Sequence, residues 1–446
     1  VVNMAPADVR KEGSAYDLPI ALGILAASGQ LEPARLADYL IMGELSLDGS
    51  LLPVKGVLPM AIMARARHMK GMIVPSANAT EAAVVNNLEV YGMDNLAQVI
   101  EFLAGKSAPQ PVIVNTREEF GKALTHFSLD FADVKGQESV KRAFEVACAG
   151  GHNILLVGPP GSGKSMMAKR IPTILPPLTL SEALETTKIH SVAGKLKGGS
   201  RLMTTRPFRA PHHTISSVAL VGGGSNPIPG EISLAHNGVL FLDEFPEFSR
   251  NVLEVLRQPL EDRHICISRA KYTIDYPAGF MLVASMNPCP CGYLGDKEKQ
   301  CTCSEFQISR YQSRLSGPLL DRIDLHVEVP RLTAEELINT QPSNETSSDI
   351  RKRVIKARQI QALRYKDDGI LTNSELTSKL IRKYCQIDKS SAALLKTAAF
   401  KYQLSGRRYD RILKLARTIA DLDGSQDIRQ THLMQALQYR MFNPLN

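Results

Sequence analysis

HNILLVGPPGSGKS, residues 152–165, decides the fold. Ile154, Leu155, Leu156 and Val157 form a short apolar run of the kind that becomes a strand buried on both faces of a parallel sheet. Gly158, Pro159, Pro160, Gly161, Ser162 and Gly163 follow, then Lys164 and Ser165. That completes G-x-x-x-x-G-K-[ST] between a strand and a helix, where a phosphate-binding loop has to sit. The glycines let consecutive main-chain N–H groups turn inward around a phosphate chain. Lys164 is placed to reach the β- and γ-phosphates, and the Ser165 hydroxyl to hold Mg²⁺. The reading is a nucleoside triphosphate site.

A chain of 446 residues is too long for one core, so two or three domains are expected. Hydrophobic content of 44% and charged content of 22% are those of an ordinary soluble domain protein. No apolar run reaches the ~20 residues needed to span a bilayer, and the longest, Leu18–Ala27, is broken by Pro19 and Gly23. No membrane partner is expected, and a cytoplasmic location is the default. Val1 reads as mid-strand, so the natural N-terminus and any targeting signal are expected upstream. Net charge is +8, and residues 331–446 hold 21 Lys and Arg against 12 Asp and Glu, which accounts for the whole imbalance. Such a region fits a polyanion, and it equally fits a solvated helical surface.

Outward from the phosphate loop the core continues. VLFLDE is a buried strand, Val239–Leu242, ending in Asp243 and Glu244. Asp243 is the expected Mg²⁺ ligand and Glu244 the group that polarises the attacking water. FMLVASMNP is a third core strand ending in Asn287. DVKGQ, before a helix and the phosphate-loop strand, resembles the adenine-side box of AAA+ ATPases, which makes ATP the nucleotide. Asn287 then stands where those proteins carry the sensor that orients the water. HICISRAKYTIDYPAG alternates as a β-hairpin with a basic tip, Arg269 and Lys271. A Gly/Pro-rich loop at 222–229 precedes VLFLDE. Two such insertions resemble those of the AAA+ branch holding magnesium chelatases and MCM helicases, where both line a central pore. DRID in SGPLLDRIDL resembles that branch's arginine-finger segment and implies that Arg322 reaches a neighbouring subunit's γ-phosphate; Arg310 and Arg314 are alternatives. LSGRRYDRILKLARTIADL resembles the lid segment with the second sensor, Arg407 by its S-x-R pattern, or Arg408. From Leu332 the chain reads as helical, with a polar gap at QPSNETSS.

Cys289, Cys291, Cys301 and Cys303 form C-P-C and C-T-C, with nine residues between the inner pair. Two close thiolate pairs can make a tetrahedral zinc site, although C-x-C is tighter than the common C-x₂-C. A structural Zn²⁺ and reduced free thiols are both open. Cys148, Cys266 and Cys385 read as inert. His212 and His213 would point apart on a strand, which suits loop packing or an inter-subunit contact better than a metal.

Residues 1–104 read as α+β. A strand-like VVNMAPAD is followed by a helix at Leu18–Ala27 and a hairpin at Asp48–Gly49, then a helix through MAIMARARHMKG to Gly71 and a further strand and helix. APADVRKEG, MGELSLDGSLLPVKGVLPMA, GMIVPSANATEA and LEVYGMDNLAQVIEFL resemble the Lon-protease domain (a ribosomal S5-like fold). The family's Ser–Lys pair falls on Ala15 and Leu58, with Ser14 and Lys55 nearby, so the domain is expected to be an inactive relic. Residues 105–129 are a linker, 130–330 an AAA+ core with pore insertions and the four-cysteine loop, and 331–446 a helical lid.

Together with MNPCPCGYLGD, these motifs identify the chain as similar to the ComM/YifB group of magnesium-chelatase-like AAA+ proteins. The resemblance implies an αβα sandwich with a helical lid, and a homo-hexameric ATPase ring acting on single-stranded or branched DNA. Its implied work is helicase or branch migration during natural transformation. A chelatase motor subunit acting on a porphyrin-binding partner and an ATP-dependent protease are the competing classes.

Overall fold

The structure, a computed structural model, describes residues 13–115, 127–196, 202–224, 227–269, 272–296, 298–332 and 345–441. The strand-like opening of the sequence, VVNMAPAD, lies outside the described residues. In the first unit, β1 (Tyr39–Ile41), β4 (Gly71–Pro75) and β5 (Glu89–Met93) form a parallel sheet in the order β1-β4-β5. Between them, β2 (Glu44–Leu45) and β3 (Leu51–Leu52) make the expected hairpin, with Gly49 at φ 83° in the turn. Helices Asp17–Ala27, Val57–Ala66, Ser76–Ala82 and Leu96–Leu103 pack around these strands. The helix expected to reach Gly71 stops at Ala66 instead. Gly71 opens β4, where a Cβ would lie 2.5 Å from the Glu89 carbonyl oxygen. Its missing side chain serves strand approach, not helix termination.

The linker begins as a strap. Val112 N–H donates to Val90 O at 2.8 Å, and Val114 is buried in the same cluster as Leu58 and Val74. The first unit also docks on the second: Glu81 accepts from the Ser191 hydroxyl at 2.5 Å and from Leu58 N–H at 3.0 Å.

The second unit is built on β6 (Ile154–Val157), β7 (Phe208–Arg209), β10 (Val239–Leu242), β13 (Met281–Met286) and β14 (Leu325–Glu328). All are parallel, in the order β14-β6-β13-β10-β7. Successive residues go to opposite faces: Leu156, Val283 and Phe241 join Phe144 and Met167, while Leu155, Leu282 and Leu240 join Phe245 and Leu253. Two apolar faces explain the unbroken apolar runs. Two hairpins interrupt the sheet connections, β8 (Gly222–Gly223) with β9 (Ile228–Pro229), and β11 (His264–Arg269) with β12 (Tyr272–Pro277). They touch each other, since Tyr276 Oη donates to Pro227 O at 2.8 Å.

Helices Ser347–Arg364, Ser378–Tyr384, Lys389–Lys401, Gly406–Leu422 and Gln430–Met441 form the lid. The polar gap ends earlier than its composition suggested, because Thr346 caps the first helix by accepting from Asp349 N–H. Lid and core are joined through a buried polar chain. Asp324 binds His152 Nδ1 at 3.1 Å and the Arg411 guanidinium, and His152 Nε2 meets Thr418 Oγ1 at 2.7 Å. Burial alone would raise the Asp324 carboxyl, but Arg411 and His152 hold it far below the usual carboxylate range. Asp324→Ala removes the buried carboxylate that joins His152 to the partly exposed Arg411, so unfolding free energy in denaturant titration is expected to fall by about 1–3 kcal/mol. A change under about 1 kcal/mol would show that this pair does not hold the lid.

Candidate nucleotide site and its two sides

The C-terminal ends of β6, β10 and β13 bring the phosphate loop, Asp243–Glu244 and Asn287 to one edge of the sheet. Gly161 and Gly163 adopt φ 78° and 85°, and a Cβ on Gly158 would stand 2.2 Å from Val329 O. Glycine is therefore required for turn and for clearance alike. Ser162 is buried, while the prolines Pro159 and Pro160 form the outer rim with Gly161. Lys164 is nearly buried, and its ammonium donates to Gly158 O at 2.7 Å, Pro159 O at 2.9 Å and Asn287 Oδ1 at 3.2 Å. Burial pushes its pKa down to about 8, against the pull of Asp243. An anionic phosphate chain at this position would favour the charged form.

Ser165 Oγ donates to Asp243 Oδ2 at 2.6 Å, and the other carboxylate oxygen accepts from Ser285 Oγ and from Glu244 N–H at 3.1 Å. A hydroxyl and a carboxylate held together at a strand end are the hard oxygen donors that suit Mg²⁺. Glu244 sits at φ 52°, rare for a non-glycine residue, with its carboxylate exposed. His213 Nδ1 lies 3.1 Å from Glu244 Oε2. The histidine pair differs from expectation: the two rings are 4.1 Å apart, in a turn beyond β7 and not on a strand. His213 is the neighbour of Glu244 that sequence reasoning assigned elsewhere. Gln137 of DVKGQ was also missed as an individual. At φ 56°, its amide donates to Ser162 O at 2.9 Å and Pro330 O at 3.0 Å, tying the box to the phosphate loop.

Arg322 and Arg407 are not at this edge. Asn153 Nδ2, at the N-terminal end of β6, donates to Arg322 O at 3.0 Å, and Arg322 lies just before β14, parallel to β6. The length of β6, about 10 Å, therefore separates Arg322 from the start of its own phosphate loop. Its guanidinium binds Glu261 and Pro318 O. Arg407 is exposed and lines the same cleft as Arg322, about 530 Å³, with Arg411 and Lys414. Arg408 pairs with Asp321 at 3.0 Å and Arg314 with Glu247 at 2.6 Å.

Some of the lid's basic residues are engaged in packing. Arg353 pairs with Glu145, Arg364 and Arg417 with Asp421, Arg411 with Asp324, and Arg358 donates to Cys148 O. At the hairpin, β11 and β12 pair through Arg269 opposite Tyr272; Lys271 lies outside the described residues, as does the Arg269 side chain. Cys289, Cys291, Cys301 and Cys303 converge, their sulfurs all within 4.8 Å of one another. Cys148 and Cys385 are buried, whereas Cys266 is exposed. In the first unit the Ser14 hydroxyl binds Glu44, and the Lys55 stem lies against Gly194.

Residues 130–337 match the family described as magnesium chelatase, subunit ChlI. Residues 344–440 match its C-terminal family, and residues 1–78 the family described as subunit ChlI of Mg-chelatase. Competence protein ComM of Haemophilus influenzae is 47% identical over 98% of this chain and 85% of its own length. The uncharacterized protein YifB of Escherichia coli is 44% identical over 100% of the chain and 85% of its own. More distantly, the DNA replication licensing factor mcm2 of Schizosaccharomyces pombe is 22% identical over 68% of the chain and 37% of its own. With a parallel sheet in this strand order, a phosphate loop on β6 and an acidic pair on β10, the chain belongs to the magnesium-chelatase-like AAA+ proteins, in the group of ComM and YifB.

Proposed function

We propose that the protein is an ATP-hydrolysing, homo-hexameric ring motor that moves on single-stranded or branched DNA, working by helicase or branch migration on incoming DNA in natural transformation. The observation that carries the ring is the separation of Arg322 and Arg407 from the phosphate loop of their own chain. Arginines on the far side of the sheet can complete a nucleotide site when a second copy supplies the loop, as heterologous ring contacts do. The likeness to a competence protein and to a replication licensing factor supports DNA as the substrate.

In this reading Lys164 and the loop N–H groups bind the triphosphate, while Ser165 and Asp243 hold Mg²⁺. When bound, the ion supplies charge neutralisation on the β- and γ-oxygens. Glu244 orients and polarises the water, and Asn287, already bonded to Lys164, helps to fix its position. Arg322 and Arg407 bring positive charge to the neighbour's γ-phosphate.

Arg269 and Lys271 are the proposed grip on DNA; Arg269 ends β11, in a hairpin that meets the Gly/Pro-rich insertion. Six copies would present about a dozen charges, giving sequence-independent, salt-dependent contacts with phosphates. The test is ATP hydrolysis with and without single-stranded, duplex and branched DNA. Stimulation is expected in the unaltered chain and is expected to vanish in Arg269→Ala/Lys271→Ala, with basal hydrolysis and assembly kept. A double variant that moves branched DNA at the original rate would rule the hairpin out as the grip. The family's description favours one second reading, a motor for a chelatase-type partner. Stimulation by a porphyrin-binding protein, and not by DNA, would select it.

A further inference from the structure

The four-cysteine loop lies between Asn287 and the helix Glu305–Gln312. Its sulfurs stand 3.4 Å (Cys289–Cys291), 3.6 Å (Cys289–Cys301) and 3.5 Å (Cys291–Cys301) apart, and Cys291 N–H donates to Cys303 Sγ at 3.3 Å. Ligands at a tetrahedral Zn–S distance of about 2.3 Å would be about 3.8 Å apart, so a small contraction of the metal-bound geometry matches what is seen. Four sulfur donors with no carboxylate among them are soft ligands, which select zinc over magnesium or calcium. Cys289 is fully buried, so at least this corner of the site is closed, as structural sites are.

The loop also touches the chemistry. Cys289 follows Asn287 by two residues, and the Asn287 side chain accepts from Lys164. Gly292, inside the C-P-C-G turn at φ 87°, presses on the phosphate loop. A Cβ there would lie 2.5 Å from Pro160 Cδ and 3.7 Å from Asn287 Cγ. The cysteine turn is thus seated against the outer rim of the phosphate loop and the asparagine at once. On the far side, Cys303 leads directly into Ser304, the cap of helix Glu305–Gln312.

We propose that the four thiolates hold one Zn²⁺ per chain, and that this ion braces Asn287 and the Pro160 rim, setting the rate of ATP hydrolysis and not the affinity for ATP. The second half rests on the nucleotide reading above; the first does not. Asn287 is here a positioning residue whose placement depends on the metal. Displacing such a group by about 1 Å can lower turnover by roughly a hundredfold, while binding through Lys164 and the loop N–H groups survives.

The full chain, purified under reducing conditions without added metal, is assayed for zinc and iron by elemental analysis. It is also assayed for affinity toward a fluorescent ATP analogue and for kcat, alongside Cys301→Ser/Cys303→Ser. About one zinc per unaltered chain is expected. The double variant should lose it, keep nucleotide affinity within about twofold and lose roughly tenfold to a hundredfold in kcat. Zinc near zero in folded, reduced protein, or iron in its place, overturns the zinc assignment. A double variant that loses zinc yet keeps its kcat overturns the brace. If the double variant fails to fold, Gly292→Ala decides: all four thiols remain, so zinc is retained while kcat falls. Retained zinc with an unchanged kcat overturns the brace. If the unaltered chain binds no nucleotide, the ATP reading fails and takes the brace with it, while the zinc content still answers the first half.

Discussion

Glu244→Gln binds ATP as tightly as the unaltered chain and hydrolyses it roughly 10²–10⁴-fold more slowly; this is the expected result for losing a group that activates water in the transition state. The substitution keeps size and shape and removes the ability to take a proton or polarise an O–H bond. The proposed ligands of the triphosphate are elsewhere. Lys164 is held by the loop carbonyls and Asn287, and the Ser165–Asp243 bond does not involve the Glu244 side chain. Lys164→Ala is the contrasting variant, since it removes the charge partner of the phosphates and weakens binding itself. Measuring affinity with a nucleotide analogue and turnover by phosphate release separates the two. Hydrolysis by Glu244→Gln at the original rate would remove Glu244 from the catalytic role and put the assignment of β10 in doubt.

The AAA+ core was legible because its signals are local. A strand buried on both faces favours apolar residues throughout, so Ile154–Val157 and Val239–Leu242 announce themselves, as does Met281–Met286 apart from Ser285, and the phosphate loop has few alternatives once Gly158 must clear Val329. The same locality explains the hairpin of β11 and β12, read from the alternation of Ile265 and Ile267, both buried. What depends on distant neighbours was hidden. His213 meets Glu244 because β7 is the neighbour of β10 in the sheet, a pairing that no spacing in the sequence encodes. Gly71 looked like a helix stop, yet it is small because Glu89 and Tyr39 crowd it from adjacent strands.

Charge was the least legible property. The lid's excess of Lys and Arg suggests a polyanion, but a sequence count does not see partners. Arg358 donates to Cys148 O and Arg411 pairs with Asp324 across the joint between lid and core, while Arg364 and Arg417 share Asp421 within the lid, so part of that charge serves packing. The cysteines show the reverse case. The spacing of Cys289, Cys291, Cys301 and Cys303 admitted zinc or free thiols, and it carried no sign that the turn between them rests on Pro160.

Arg322→Ala is expected to retain ATP and to lose roughly 10³–10⁵ in hydrolysis, the effect of withdrawing an arginine from the developing charge on the γ-phosphate. The decisive form of the experiment is a mixture with Lys164→Ala. Each chain has its phosphate loop beyond the C-terminal end of β6 and its Arg322 at the N-terminal end, so one chain cannot bring the two together across its own sheet. In a ring, a chain with an intact loop and altered Arg322 can stand next to one with an altered loop and intact Arg322. Random mixing of equal amounts gives about a quarter of contacts with both halves intact, so recovery to about a quarter of the original rate is expected from two inactive proteins. Arg407 lines the cleft with Arg322, so Arg407→Ala is expected to complement Lys164→Ala in the same way and to fail with Arg322→Ala. Co-assembly is checked by pulling down one tagged variant with the other. Mixtures that co-assemble and stay inactive would place the action of Arg322 within its own chain, which the separation along β6 could accommodate only through a large movement of the segment before β14.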